Sequence, residues 1–234
     1  IHNVIYGQEE ANYLVPGGIF AIGLGMCIPT VMAWGSEEAK KRFVAPAVRG
    51  DEIWCQLFSE PAGGSDVAGL RTKAEKDGDE WVINGQKVWT SGAHFCDYGI
   101  LLVRTDPNVP KHKGLTMFWI DMKDPAVEVR PIKQMSGGAE FNEVFFTNLR
   151  VKDSQRLGNV GDGWKVALTT LMNERLAVGG SQGNADTDDL IELARDVTIA
   201  GEPAIRHGGV RERIADWYVQ AQGLKFTRFR TLTA

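Results

Sequence analysis

Gln56-Leu57-Phe58-Ser59-Glu60-Pro61-Ala62-Gly63-Gly64-Ser65-Asp66 is the stretch from which the rest of the chain is read. A short β-favouring run ends there in a proline- and glycine-rich loop bounded by hydroxyl groups. Glycines remove side-chain bulk, so backbone N–H groups can approach an anion closely, and Ser59 and Ser65 can add hydrogen bonds. Working outward, Trp81, Val82, Ile83, Val88, Leu101–Val103, Met117–Ile120 and Val144–Phe146 come in short β-favouring runs, so Ile53 to about Val151 reads as a sheet domain. Asp77-Gly78 and Asn84-Gly85 are expected to be tight hairpin turns. Pro107, Pro110, Lys111, His112 and Lys113 mark a polar loop.

Helical patterns flank this sheet. Ser36-Glu37-Glu38-Ala39 reads as a serine cap with acidic residues in the first turn, predicting a helix over about 36–47. After Asp162 the apolar residues Trp164, Ala167, Leu168, Leu171, Leu176 and Val178 recur at helical spacing. A Gly/Asp-rich interruption over Gly179–Asp189 leads to a short helix near 187–197. A longer helix is expected over about 210–230, with Val210, Ile214, Trp217, Tyr218, Ala221 and Leu224 on one side and Lys225, Arg228 and Arg230 late in it. The fold class is therefore α+β: a helical N-terminal part over 1–52, a central antiparallel β-domain over 53–155 and the start of a helical C-terminal domain over 156–234. Both helical parts read as incomplete.

The chain has 234 residues, 43% of them hydrophobic and 24% charged, which excludes disorder and supports a buried core. Its net charge of −4 offers no footprint for a phosphate backbone, so nucleic acid is not an expected partner. Cys27, Cys55 and Cys96 are an odd number without a C-x-x-C, which points to a reducing compartment, the cytoplasm or, in a eukaryote, the mitochondrial matrix. The uncharged stretch Ala11–Ser36 is interrupted by Pro16, Pro29 and five glycines. It is read as protein interior, not a membrane span.

Two further features can carry chemistry. Lys87-Val88-Trp89-Thr90-Ser91-Gly92 sets an indole beside two hydroxyls at a strand end, able to cover a planar ring and bond its heteroatoms; a core tryptophan beside a turn is the plainer alternative. Glu174 has Ala167, Leu171, Ala177 and Val178 as helical neighbours, so its carboxylate is expected along the apolar face. A buried carboxyl there is either a proton acceptor with a raised pKa or half of an ion pair with Arg175 or another arginine. The four histidines show no metal spacing, and no G-x-G-x-x-G, P-loop or G-x-S-x-G motif is present.

Taken together, these segments resemble the acyl-CoA dehydrogenase family, whose flavin-binding region carries a T/S-E-P-x-A-G-S-D loop and a later W-x-T/S element. The resemblance runs from Gly35-Ser36-Glu37-Glu38-Ala39-Lys40 through Phe58–Asp66 and Asn84–Gly92 to Glu140–Phe146 and Gly163–Ala167. It implies FAD held between a β-domain and a helical bundle, in a homodimer or homotetramer. By family position, Gln56, Phe58 and Ser59 would line the flavin, Ser65 would meet the FAD pyrophosphate or the CoA, and Trp89, Thr90 and Ser91 would cover and bond the isoalloxazine. The implied reaction, part of fatty acid metabolism, is α,β-dehydrogenation of an acyl-CoA, with a carboxylate removing the α-proton and hydride passing to flavin N5. An electron-transfer flavoprotein is the implied acceptor. Some members place the base immediately before an arginine on the helix after the β-domain, a position that Glu174-Arg175 matches, with Arg175 as substrate-site neighbour. The family's R-x-x-F-G element has no clear counterpart in Ala194–Pro203. That departure keeps two other readings in view: a non-catalytic flavin-binding or partner subunit of a mixed oligomer, and an acyl-CoA oxidase.

Overall fold

The structure is a computed structural model that describes residues 5–6, 8–9, 13, 17–178 and 187–233. The Gly179–Asp189 interruption lies largely outside the described residues. The chain divides into two compact units, Pro16–Ala177 and Ile1–Val15 with Val178–Ala234.

In the larger unit, a π-helical segment Gly23–Cys27 runs into α1 (Ile28–Trp34), followed by α2 (Glu37–Arg49). The capping expectation at α2 holds: Ser36 Oγ accepts from the Ala39 N–H at 3.2 Å, and Glu37 and Glu38 occupy the first turn. Gly50 ends the helix in the left-handed conformation (φ 78°). An eight-stranded sheet follows, β1 (Trp54–Leu57), β2 (Lys73–Asp77), β3 (Glu80–Ser91), β4 (Tyr98–Arg104), β5 (Leu115–Asp121), β6 (Val127–Pro131), β7 (Phe141–Lys152) and β8 (Arg156–Leu157). Its order is β6-β7-β3-β2-β4-β5-β8, with β1 parallel to β4 and most other pairings antiparallel. β4 is apolar at nearly every position because both of its faces are buried. Ile100 and Leu102 join a core with α1, α2 and α3 (Gly163–Val178), while Leu101 and Val103 join a second core against Trp81, Ile83 and Val144.

Two hydroxyl contacts set α3. Thr30 and Thr170 meet at 2.9 Å, and Trp34 Nε1 donates to Thr169 Oγ1 at 2.9 Å. Because Trp34 also stands beside Val166 across Gly158, while Thr30 meets Thr170 a turn later, α1 and α3 run antiparallel. Glu174, one turn beyond Thr170, therefore lies toward the Gly23–Cys27 end of α1.

The smaller unit holds α4 (Thr187–Asp196), a two-stranded hairpin β9 (Thr198–Ile199) and β10 (Glu202–Pro203), and α5 (Gly208–Thr233). The expected apolar side of α5 is not a buried one: Trp217, Tyr218 and Leu224 are exposed and only Val210, Ile214 and Ala221 are partly covered among the described residues. Helical spacing reports a stripe, and a stripe is buried only where a partner lies against it. No helix among the described residues is long and apolar enough to cross a membrane.

One turn expectation is corrected. Asp77-Gly78 does close the β2–β3 hairpin, with Gly78 at φ 64° and Asp77 paired to Glu80. Asn84-Gly85, however, lies inside β3. Gly85 (φ 154°) is needed for close approach, since a Cβ there would stand 2.5 Å from Thr72 Oγ1. Asn84 braces a bulge in β7 by accepting from the Asn148 N–H at 2.8 Å, Asn148 itself being left-handed at φ 53°.

Candidate flavin site

The Phe58–Asp66 loop leaves β1 and is folded back by mutual backbone hydrogen bonds between Glu60 and Gly63 (3.0 and 3.1 Å). Val88 N–H donates to Ser59 O at 2.9 Å, so this loop is docked on β3. One residue further on, β3 carries an extra residue against β7: Lys87 opposes Val144, but Thr90 opposes Asn142. The bulge puts Trp89 at φ 60°, a region a bulky residue enters only at a cost. Its indole turns out of the sheet and is 59% exposed, with Phe141 edge-on at 6.1 Å. A bulge re-aims a side chain, and here it presents an aromatic face beside the loop.

Thr90 is buried, and its Oγ1 has no hydrogen-bond partner among the described residues. Buried hydroxyls are rarely left so. Ser91 and Trp54 help line a cavity of about 450 Å³ with Gly18, Ile19, Ile22 and Phe95, and Trp54 Nε1 is likewise buried without an acceptor among the described residues. Below this cavity Asn142 donates to Thr90 O at 2.9 Å and meets His94 Nδ1 at 3.1 Å, fixing the turn after the bulge.

The structure thus brings Ser59, Trp89, Thr90 and Ser91 onto one loop-and-bulge assembly. Gln56 is half-buried on β1, Ser65 is exposed, and Phe58 is packed into the core at 4% exposure, so that its carbonyl rather than its ring faces the loop–strand junction. Glu174 is half-buried on α3, continuing the inward row Val166, Ala167, Thr170 and Leu171, while Arg175 is exposed. Neither makes an ion pair among the described residues. The side chains of Ala177 and Val178 lie outside the described residues. A larger cleft of about 720 Å³, lined by Arg42, Tyr98, Trp119 and Arg150, contains none of the loop residues. Its cations are already paired, Arg42 with Glu52 and Arg150 with Asp77, each at 2.6 Å.

Sequence reading missed one group at the site. Lys87 is fully buried and pairs with Glu60 at 2.8 Å. Burial pushes its ammonium down to about 8, against the opposing pull of the Glu60 charge. Burial acts to raise the Glu60 carboxyl, but the Lys87 charge and hydrogen bonds from Lys87, Thr72 and Arg71 outweigh it, leaving it below its usual value. A lysine inside a β-favouring run was the available signal.

The residues fit a flavin: an outward indole, an unpartnered buried hydroxyl beside it, and a loop of small residues alongside. Residues 55–149 match the family described as acyl-CoA dehydrogenase, middle domain, and residues 161–234 match acyl-CoA dehydrogenase, C-terminal domain. The chain belongs to the acyl-CoA dehydrogenase family. It is 42% identical over 209 residues to the acyl-CoA dehydrogenase IpdE1 of Mycobacterium tuberculosis, covering 88% of this chain and 54% of that protein. Among solved structures it is similar to the Tcur3481-Tcur3483 steroid ACAD (TM-score 0.79, 32% identity, 90% of this chain and 54% of that one). It is similar also to the ChsE4-ChsE5 complex of Mycobacterium tuberculosis (TM-score 0.80, 28% identity, 97% and 59%). The chain spans between about a quarter and three-fifths of the length of the first curated relatives it matches.

Proposed function

We propose that the protein catalyses FAD-dependent α,β-dehydrogenation of an acyl-CoA thioester. The observation that carries this reading is the Trp89 bulge, a strained aromatic turned outward next to the unpartnered Thr90 hydroxyl and held against the Ser59 loop. Gln56, Ser59, Trp89, Thr90 and Ser91 would hold the isoalloxazine, Phe58 would back it, and Ser65 would meet phosphate of FAD or CoA. Flavin, when bound, supplies the acceptor for the β-hydrogen and its electron pair. Glu174 takes the α-proton, the α-carbon's C–H pair becoming the second bond of the new C=C, and Arg175 flanks it on the substrate side. The antiparallel packing of α1 on α3 supports this role, because it directs Glu174 toward the end of α1 that follows the cavity-lining residues Ile19 and Ile22.

The acyl group we assign is bulky and ring-bearing, on the strength of the wide, mainly apolar cavity beside Ser91 and the 32% identity to a steroid ACAD. We assign a homodimer or homotetramer passing electrons to an electron-transfer flavoprotein. A second reading, a partner subunit in a mixed oligomer, is favoured by one observation: β9–β10 occupies the region where the R-x-x-F-G element is wanted.

The absorption spectrum of the protein, before and after a panel of linear and steroid acyl-CoAs, tests the proposal. Flavin colour bleached by a ring-bearing thioester is expected. Glu174→Gln should keep the colour and lose about a hundredfold or more in turnover; full activity in that variant places the base elsewhere. Absence of flavin uptake except beside a second protein favours the mixed oligomer, and steady peroxide formation without an added acceptor identifies an oxidase.

A further inference from the structure

Lys87 and Glu60 are the only oppositely charged pair among the described residues in which both side chains are almost wholly removed from water. Lys87 Nζ donates to Glu60 Oε1 at 2.8 Å and to Phe58 O at 3.0 Å. The same carboxylate accepts the Arg71 N–H at 2.6 Å and the Thr72 N–H at 2.9 Å. Three pieces of chain meet there: β3 two residues before Trp89, the loop one residue after Ser59, and the segment entering β2. Thr72 in turn abuts Gly85, where no side chain fits.

A well-packed apolar pair would hold these segments together at least as firmly, because burying two charges costs much of what their attraction returns. What the charges add is direction. An ammonium and a carboxylate that make four hydrogen bonds, one of them to each other, fix the loop relative to the strand in angle as well as distance. The groups so fixed are the neighbours of Ser59 and Trp89.

We propose that Lys87 and Glu60 are positioning residues for the flavin: their pair locks the Ser59 loop and the Trp89 bulge in the one mutual arrangement that grips the ring. This rests on the functional reading given above. The two side chains act through Ser59 and Trp89 and are not assigned contact with the flavin. Their effect falls on affinity and on the environment of the bound ring, as expected of groups that support a binding site from behind.

The test compares FAD binding by the apoprotein, followed through flavin fluorescence, with thermal unfolding in wild type, Lys87→Met, Glu60→Gln and the double variant. Each single variant leaves a buried group without its counter-charge, so both unfolding temperature and flavin affinity should fall, the latter about tenfold or more by analogy with other supporting shells. The double variant removes both charges and should recover the unfolding temperature but not the affinity. Its bound flavin should also show an altered visible circular dichroism band. Recovery of affinity together with stability, or wild-type affinity in any folded variant, overturns the proposal, as does a double variant that does not fold. Failure of wild type itself to take up FAD sinks the functional reading instead, so the two failures are distinguishable.

Discussion

Two lysine–carboxylate pairs tether the segment that follows β1, and they differ in almost everything except length. Lys87–Glu60 and Lys111–Asp66 each close at 2.8 Å. The first is shut inside the protein; the second joins two surface loops with both partners at least half exposed. In water the attraction between charges at that distance is small and screened, whereas inside the protein it is large but offset by the loss of hydration. Equal distances therefore imply unequal consequences: the inner pair is costly to break, the outer one nearly free to lose.

The sharpest way to break the comparison is to remove the inner cation. Lys87→Met should destabilise the fold by about 3 kcal/mol or more, because Glu60 is left charged and buried with two backbone N–H donors but no counter-charge. Urea unfolding measures this, and a loss no larger than that of a surface lysine would erase the distinction. Gly85→Val attacks the same network from behind. A side chain there meets Thr72, whose N–H is one of the donors to Glu60, and about 1–3 kcal/mol of overpacking is expected.

These two residues also show where the sequence was readable and where it was not. The Pro/Gly loop and the Trp-Thr-Ser element were legible because turn chemistry and side-chain type are local properties, and each sits where expected. Asn84-Gly85 carries the same letters as a hairpin turn, yet its glycine answers to Thr72, twelve residues before Asn84, which no local rule can see. Lys87 was passed over because its counter-charge lies across a loop. The outward swing of Trp89 depends on one extra residue in β3 relative to β7, a count that exists only once the strands are paired. Glu174 was placed on the inward row of its helix by period alone, and it does continue that row, half-buried.

Acid and alkali separate the pairs more gently than substitution. The Glu60 carboxyl is held below its unfolded value, so its contribution is present above that value, about pH 4.3, and is lost as pH falls through the folded one. Lys87 acts in the same direction at the alkaline end. Its folded value of about 8 lies below the unfolded value of about 10.4, so between those limits the unfolded chain holds more protons and stability rises with pH. Unfolding free energy of wild type minus that of Lys87→Met should therefore increase between about pH 8 and 10.4. A flat difference would mean that Lys87 titrates normally in the folded protein.

The smallest effect belongs to the outer pair. Asp66 is held below its usual value first by its hydrogen bond with Lys111 and then by the charges of Lys111 and His112, but the group stands in water, and salt reaches it freely. The loop it closes has a second fastening: Arg104 donates to Ala68 O at 2.6 Å, Leu70 O at 3.1 Å and Lys111 O at 3.2 Å. Lys111→Ala should then leave the unfolding midpoint within error of wild type, at low salt and in 1 M salt alike. Arg104→Ala, which frees three carbonyls and both loops, should lower it measurably. If Lys111→Ala proved the more damaging of the two, the outer ion pair rather than the arginine would be holding the Ser65 loop, and exposure would no longer predict which tether matters.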